Sequence, residues 1–184
     1  MKTDTVTITL PAIPGELTLP TPEADKTLAQ PLYTLIAEQP FFKGLTAAHL
    51  QLLTDSAFER RFEKGQMIFH EGSPANRFFV ILEGKVALES EVKERGTVVI
   101  QTLGPGEDLG WSWLFPPHFL HFGARAVEPT RTIFFFGTRL REQCEQDHEL
   151  GYQLMIRIAE VTSRRIRAMQ QRLMECTDPE KFQQ

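Results

Sequence analysis

Phe78-Phe79-Val80-Ile81-Leu82-Glu83-Gly84-Lys85-Val86-Ala87-Leu88 carries two short apolar runs on either side of Glu83-Gly84. A run of four to eight apolar, β-branched or aromatic residues closed by a turn residue predicts a strand, and glycine enters a tight turn at positive φ without steric cost. The arrangement recurs outward in both directions. Gln66-Met67-Ile68-Phe69 precedes it, and Thr97-Val98-Val99-Ile100 and Thr132-Ile133-Phe134-Phe135-Phe136 follow. Glycines at 65, 72, 84, 96, 104, 106 and 110 punctuate the stretch. Strand-and-turn spacing of about 8–12 residues predicts an antiparallel sandwich or barrel, here over residues 57–138.

The flanks are helical. Over 31–56, Leu32, Leu35 and Ile36, then Leu45, Leu50, Leu52 and Leu53, recur at helical spacing on either side of Gln39-Pro40, which predicts two short helices separated by the proline. Thr46 is a candidate N-cap for the second. Residues 139–176 are helical again, with one segment from about Leu150 to Cys176 free of proline. In it Met155, Ala159, Thr162, Ile166, Met169 and Leu173 alternate spacings of four and three, the seam of a parallel helix pair, while Leu154, Ile158 and Val161 supply a neighbouring face for the barrel. A homodimer through this helix is expected. Residues 1–30, with prolines at 11, 14, 20 and 22, read as an arm, and 177–184 as a tail.

Composition narrows the function classes. The 184 residues are 41% hydrophobic and 24% charged, as a chain with one real core should be, and the net charge of -4 argues against a surface that blankets nucleic-acid phosphates. Two cysteines with no partner at zinc-ligand or redox spacing leave no metal or disulfide framework. No leader and no apolar run of about 18 residues is present, so a soluble cytoplasmic protein without a membrane span is expected.

Lys64-Gly65, Ile68, Glu71-Gly72, the run Phe79 to Leu88, and Leu103-Gly104-Pro105-Gly106-Glu107-Asp108-Leu109-Gly110 resemble the cyclic nucleotide-binding domain of the cyclic-AMP receptor protein and fumarate–nitrate regulator superfamily. The resemblance covers roughly residues 40–176. It implies a mainly β fold with flanking helices: a jelly-roll barrel, short N-terminal helices and a long C-terminal dimer helix. It also implies a regulatory role. In DNA-binding relatives a helix-turn-helix domain follows the dimer helix; only Thr177 to Gln184 follow here, so no DNA-binding domain is expected and a protein partner is.

Relatives that bind cyclic AMP hold its phosphate on an arginine and its ribose on a glutamate, in a cassette that begins Gly-Glu and ends Arg, Ser or Thr, Ala. A buried anion needs such a cation. Here Gly110 fits, but Trp111 stands at the glutamate and, counting back from Ala124-Arg125-Ala126, Leu120 stands at the arginine, with His121 and Phe122 after it. A shorter loop would let Arg125 take the phosphate. The segment Gly110 to Gly123 has two Trp and three Phe, which suit an apolar or aromatic small molecule better than a phosphate-sugar, or else fill the barrel as core. The expected pocket residues are Leu82, Val86, Leu109, Gly110, Trp111, Ser112, Trp113, His121 and Arg125.

Other features carry less. His118 and His121 have metal-ligand spacing on a helical turn but no third ligand, so no metal is expected. Matching Arg164-Arg165-Ile166 to the relatives' dimer helix puts Met169 and Gln170 where a Thr-Ser pair meets adenine. Arg157, Arg164, Arg165, Arg167 and Arg172 read as a solvated face or one that meets an acidic partner. No nucleophile elbow, Walker loop or His-Glu-x-x-His occurs, and the expected function is a small-molecule sensory module with a degenerate cassette, not an enzyme. A ligand-free scaffold and a true cyclic-nucleotide binder using Arg125 are the alternatives.

Overall fold

A computed structural model describes residues 31–176. The arm at 1–30 and the tail at 177–184 lie outside the described residues. Helices α1 (Leu32–Glu38) and α2 (Ala47–Thr54) flank a 3-10 turn at Pro40–Phe42. Pro40 starts that turn because its missing N–H and fixed φ suit a first helical position but not a helix interior. Thr46 caps α2, its hydroxyl accepting from the His49 N–H at 3.2 Å.

Eight strands follow: β1 (Ala57–Phe62), β2 (Met67–Phe69), β3 (Arg77–Glu83), β4 (Val86–Val92), β5 (Gly96–Leu103), β6 (Asp108–Leu109), β7 (Gly123–Ala126) and β8 (Thr130–Phe136). They form two four-stranded antiparallel sheets, β1-β8-β3-β6 and β2-β7-β4-β5. The Glu83-Gly84 turn therefore carries the chain from one sheet to the other and closes no hairpin. Gly84 sits at φ +88, and a Cβ there would lie 2.4 Å from the Pro129 carbonyl oxygen, so no other residue fits the crossing. Strands β1 and β6 are not among the runs read from the sequence, and β7 enters there only as the Ala124-Arg125-Ala126 anchor. Glu59, Arg60 and Arg61 mask the first, and the others are too short or too small in side chain to show a pattern; pairing with β8, β3 and β4 respectively is what holds them extended.

The first sheet is buried on both faces. Along β3, Phe79 and Ile81 point between the sheets while Phe78 and Val80 point to the helices; on β8, Phe134 takes the inner side and Ile133 and Phe135 the outer. Helix α3 (Gly137–Gln146) and the long α4 (His148–Cys176) close that outer face through Leu140, Leu150, Leu154, Ile158 and Val161. Each such side chain contributes about 1.5–3 kcal/mol of burial, which fixes the first half of α4 against the barrel. Asp147 starts α4, its carboxylate accepting from the Leu150 N–H at 3.0 Å and meeting His49 of α2 at 3.2 Å.

The seam expected on α4 lies apart from this packed stripe. Met155 is 49% and Ile166 51% exposed, Ala159 is exposed, and Thr162 and Met169 are half-buried; the Leu173 side chain lies outside those described. No described helix is long and apolar enough to cross a membrane.

Candidate functional site

A cavity of about 230 Å³ lies between the barrel, the segment that follows β6, and the second half of α4. Phe69 and Leu88 come from the second sheet; Leu109, Gly110, Trp111 and Ser112 from β6 and the turn after it; Leu120, His121 and Phe122 from the approach to β7; Thr162, Arg165, Ile166 and Met169 from α4. The wall is almost wholly apolar.

Gly110 builds one end of it. Its φ is +85, and a Cβ would sit 2.5 Å from the Arg77 carbonyl oxygen, so only glycine lets the chain leave β6 against β3 and turn at once. The 3-10 turn Trp111–Trp113 follows, and both indoles reach the helix-side core to different depths. Trp111 stays half-buried on the cavity with Phe115 edge-on at 6.2 Å between ring centroids. Trp113 is 1% exposed and enters the helix-side core against Phe78, with its carbonyl accepting from Arg141 at 2.7 Å.

Of the pocket residues expected from the sequence, Leu109, Gly110, Trp111, Ser112 and His121 meet on this wall, and Leu82, Val86, Trp113 and Arg125 do not. Leu82 packs toward the helices, and Val86 is enclosed between the sheets. For Arg125 the cause is strand parity. Arg125 pairs with Ala87 across the ladder, so it takes the face opposite to Leu88, the residue of β4 that lines the cavity, while Ala124 and Ala126 face inward. On the outer face its guanidinium is already engaged. Nη2 and Nε donate to the Glu89 carboxylate at 2.7 and 3.1 Å, and Nη1 donates to the Gly65 carbonyl at 3.1 Å. The Glu89 hydrogen bond first, with the charges of Glu89 and Glu91, raises Arg125 above its ordinary value against the opposing effect of burial.

The sequence reading of the basic helix changes in two places. Arg157 donates to the Lys43 carbonyl at 2.8 Å and to Gln153, tying α4 to the loop before α2. Arg165 is no solvated side chain: it keeps 11% of its exposure, donates to the Asp108 carbonyl, and lies 3.8 Å from an Asp108 carboxylate oxygen. Burial pushes the Asp108 carboxyl up, with Arg165 opposing. Adjacency alone does not say which of Arg164 and Arg165 is buried; the signal in the sequence was that Ile158 and Val161 of the expected packed face lie seven and four residues before Arg165. Arg164 and Arg167 are exposed, and the Arg172 side chain lies outside those described.

His121 is exposed at the cavity and His118 is not on it; no group of three or more His, Cys, Asp or Glu able to hold a metal occurs among the described residues. Cys144 is half-buried beside α4, and burial, then Asp147 and Glu145, push its thiol up to about 11, far from a thiolate nucleophile.

Comparison with known proteins decides the family. Residues 59–147 match the family model described as the cyclic nucleotide-binding domain. A crystal structure from Geobacter metallireducens GS-15, described as a cyclic nucleotide-binding protein, is 32% identical, covers 76% of this chain and 99% of its own, and superposes with a TM-score of 0.66. The chain belongs to the cyclic nucleotide-binding domain family. A cyclic nucleotide-binding domain from Methylobacillus flagellatus shares the fold at 18% identity, with a TM-score of 0.68 over 80% of this chain and 83% of that one. Among curated relatives of this family member is a CRP-like cAMP-activated global transcriptional regulator from Mycobacterium tuberculosis, 24% identical over 133 residues, which are 72% of this chain and 58% of that protein. The chain thus spans little more than half the length of that relative.

Proposed function

We propose that this protein is a small-molecule regulatory module of the cyclic nucleotide-binding fold whose ligand is an apolar or aromatic compound held in the cavity between the Trp111 turn and α4, and whose response is passed to a protein partner. The observation that carries this reading is the near absence of polar surface on the cavity wall. A cyclic phosphate there would lose its hydration without a free cation to meet it: Leu120 occupies the expected arginine position, Arg125 is spent on Glu89 on the far face, and Arg165, the one cation on the wall among the described residues, is held by Asp108. Size points the same way. About 230 Å³ exceeds the ~150 Å³ that holds benzene in an engineered protein but falls below the ~300–1,000 Å³ of drug-sized sites, so a molecule of one or two rings or a short acyl chain fits.

Thr162, Ile166 and Met169 belong both to the cavity wall and to the expected seam. Occupancy of the cavity would therefore act directly on the helix face through which we expect two copies to pair, favouring whichever helix position it binds more tightly.

Trp fluorescence tests the reading. Of the two tryptophans, Trp111 lines the cavity and Trp113 is core, so a bound ring changes the emission of Trp111. Titration with 1-naphthylamine, a neutral two-ring fluorophore, is expected to give a saturable change lost in Trp111→Ala, and cyclic AMP and cyclic GMP none. Saturable binding of a cyclic nucleotide would overturn the proposal in favour of the nucleotide reading. No binding of either class would favour a ligand-free scaffold.

A further inference from the structure

On the other side of the barrel core, a cleft of about 160 Å³ is lined by Arg60, Phe62, Gln66, Arg77, Phe79 and Phe134 among others. None of these residues belongs to the cavity described above. Arg60 sits on β1 opposite Thr132, two residues from the buried Phe62, and Arg77 sits on β3 two residues before the buried Phe79. Both guanidinium-bearing positions thus share the inward face of the first sheet with Phe62, Phe79 and Phe134, where an apolar side chain is the ordinary choice.

Among the described residues neither arginine is neutralised. The nearest acid in sequence, Glu59, points to the opposite face and is held by Arg131 at 2.7 and 2.8 Å, and among the described residues no carboxylate lines the cleft. Among the described residues no ion pair is made by Arg60 or Arg77; Arg60 only lies over the Phe62 ring, 5.4 Å from its centroid. Burial first, and then the like charge of Arg77, push Arg60 below its ordinary value. Gln66 adds a donor: its amide oxygen accepts from the Glu63 N–H at 3.0 Å, which leaves its NH2 group for the cleft side. Two half-buried like charges, an amide donor and an aromatic floor are unfavourable together unless an anion joins them.

We propose that this cleft is an oxyanion site in which Arg60 and Arg77 together clamp a phosphate group, free or carried on a small organic ester. Two planar forks approaching from β1 and β3, the strands on either side of β8, can each donate in pairs to such an anion, and the Phe62, Phe79 and Phe134 rings would shield those bonds from water. The site is independent of the apolar cavity.

Thermal unfolding of the full chain tests it, with inorganic phosphate as the probe and sodium chloride at matched ionic strength as the control. At about tenfold over its dissociation constant, phosphate is expected to raise the native midpoint by roughly 3–5 °C beyond the chloride control. Arg60→Gln and Arg77→Gln should each abolish that difference while melting no lower than the native chain without phosphate, because each removes the repulsion. Phenyl phosphate in the same assay separates the sources: a larger shift than inorganic phosphate identifies an ester as the occupant, an equal one free phosphate. A native midpoint that rises no more with phosphate than with chloride overturns the proposal, as does a phosphate response retained in both variants.

Discussion

Replacing Arg125 by methionine separates a structural arginine from a ligand-binding one. In the structure Arg125 makes two hydrogen bonds to Glu89, whose side chain is 9% exposed, so removing the guanidinium leaves a nearly buried carboxylate without its cation. Stripping one partner from a fully buried pair costs about 3–5 kcal/mol. The Arg125 side chain, however, keeps 39% exposure, so water screens the pair and roughly half of that cost, about 1.5–2.5 kcal/mol, is expected. For a chain of this size that lowers the melting midpoint by roughly 4–8 °C. Urea denaturation of Arg125→Met, Glu89→Gln and the double variant completes the test: the double variant should be markedly less unstable than the sum of the two, with a coupling of about 1 kcal/mol or more. Binding of the neutral fluorophore in the cavity should be unchanged in all three. Stability within about 0.5 kcal/mol of the native chain in Arg125→Met would refute the pairing argument, and loss of cavity binding with stability intact would return Arg125 to the ligand.

Gly110→Ala places a methyl group 2.5 Å from the Arg77 carbonyl oxygen at φ +85, so backbone strain and overpacking together should cost about 2–4 kcal/mol in denaturation and displace the Trp111 turn; a loss under about 1 kcal/mol would show that the turn is not built on this glycine. Asp108→Asn bears on pH. Because burial raises the Asp108 carboxyl, the folded chain holds a proton that the unfolded chain has already released, so native stability falls as pH rises from the ordinary carboxylate range through the raised value. The asparagine variant keeps the carbonyl that receives Arg165, removes that decline, and should be the more stable protein at neutral pH; urea midpoints measured from acid to neutral pH would contradict this if the two proteins kept the same slope.

Much of the architecture was legible in residue order. Short apolar runs closed by glycine, the Gln39-Pro40 break, the Thr46 cap and the uninterrupted helix after Leu150 are local signals, set by backbone sterics and by side-chain periods of two and 3.6. The glycine spacing that points to the family is local in the same sense, since Gly84 and Gly110 are each required by a close backbone approach at a turn.

The candidate site was legible only in part. Trp111 and Leu120 stood out because an indole offers a ribose no carboxylate and a leucine offers a phosphate no cation, a judgement that needs chemistry and no geometry. Direction was another matter. Whether Arg125 faces the cavity, how deep Trp113 sits, and which arginine of α4 is buried depend on strand register, on the packing of one 3-10 turn and on the roll of a helix against a sheet. A shift of one residue in pairing exchanges the two faces of a strand, and only pairing with β4 fixes that parity for β7. The inward-facing Arg60 and Arg77 were invisible for the same reason. Sequence by itself determined which turns and helices the backbone can make and which chemical groups are available; the packing of two sheets and a helix decided which of those groups meet, since facing is a property of neighbours that lie far apart along the chain.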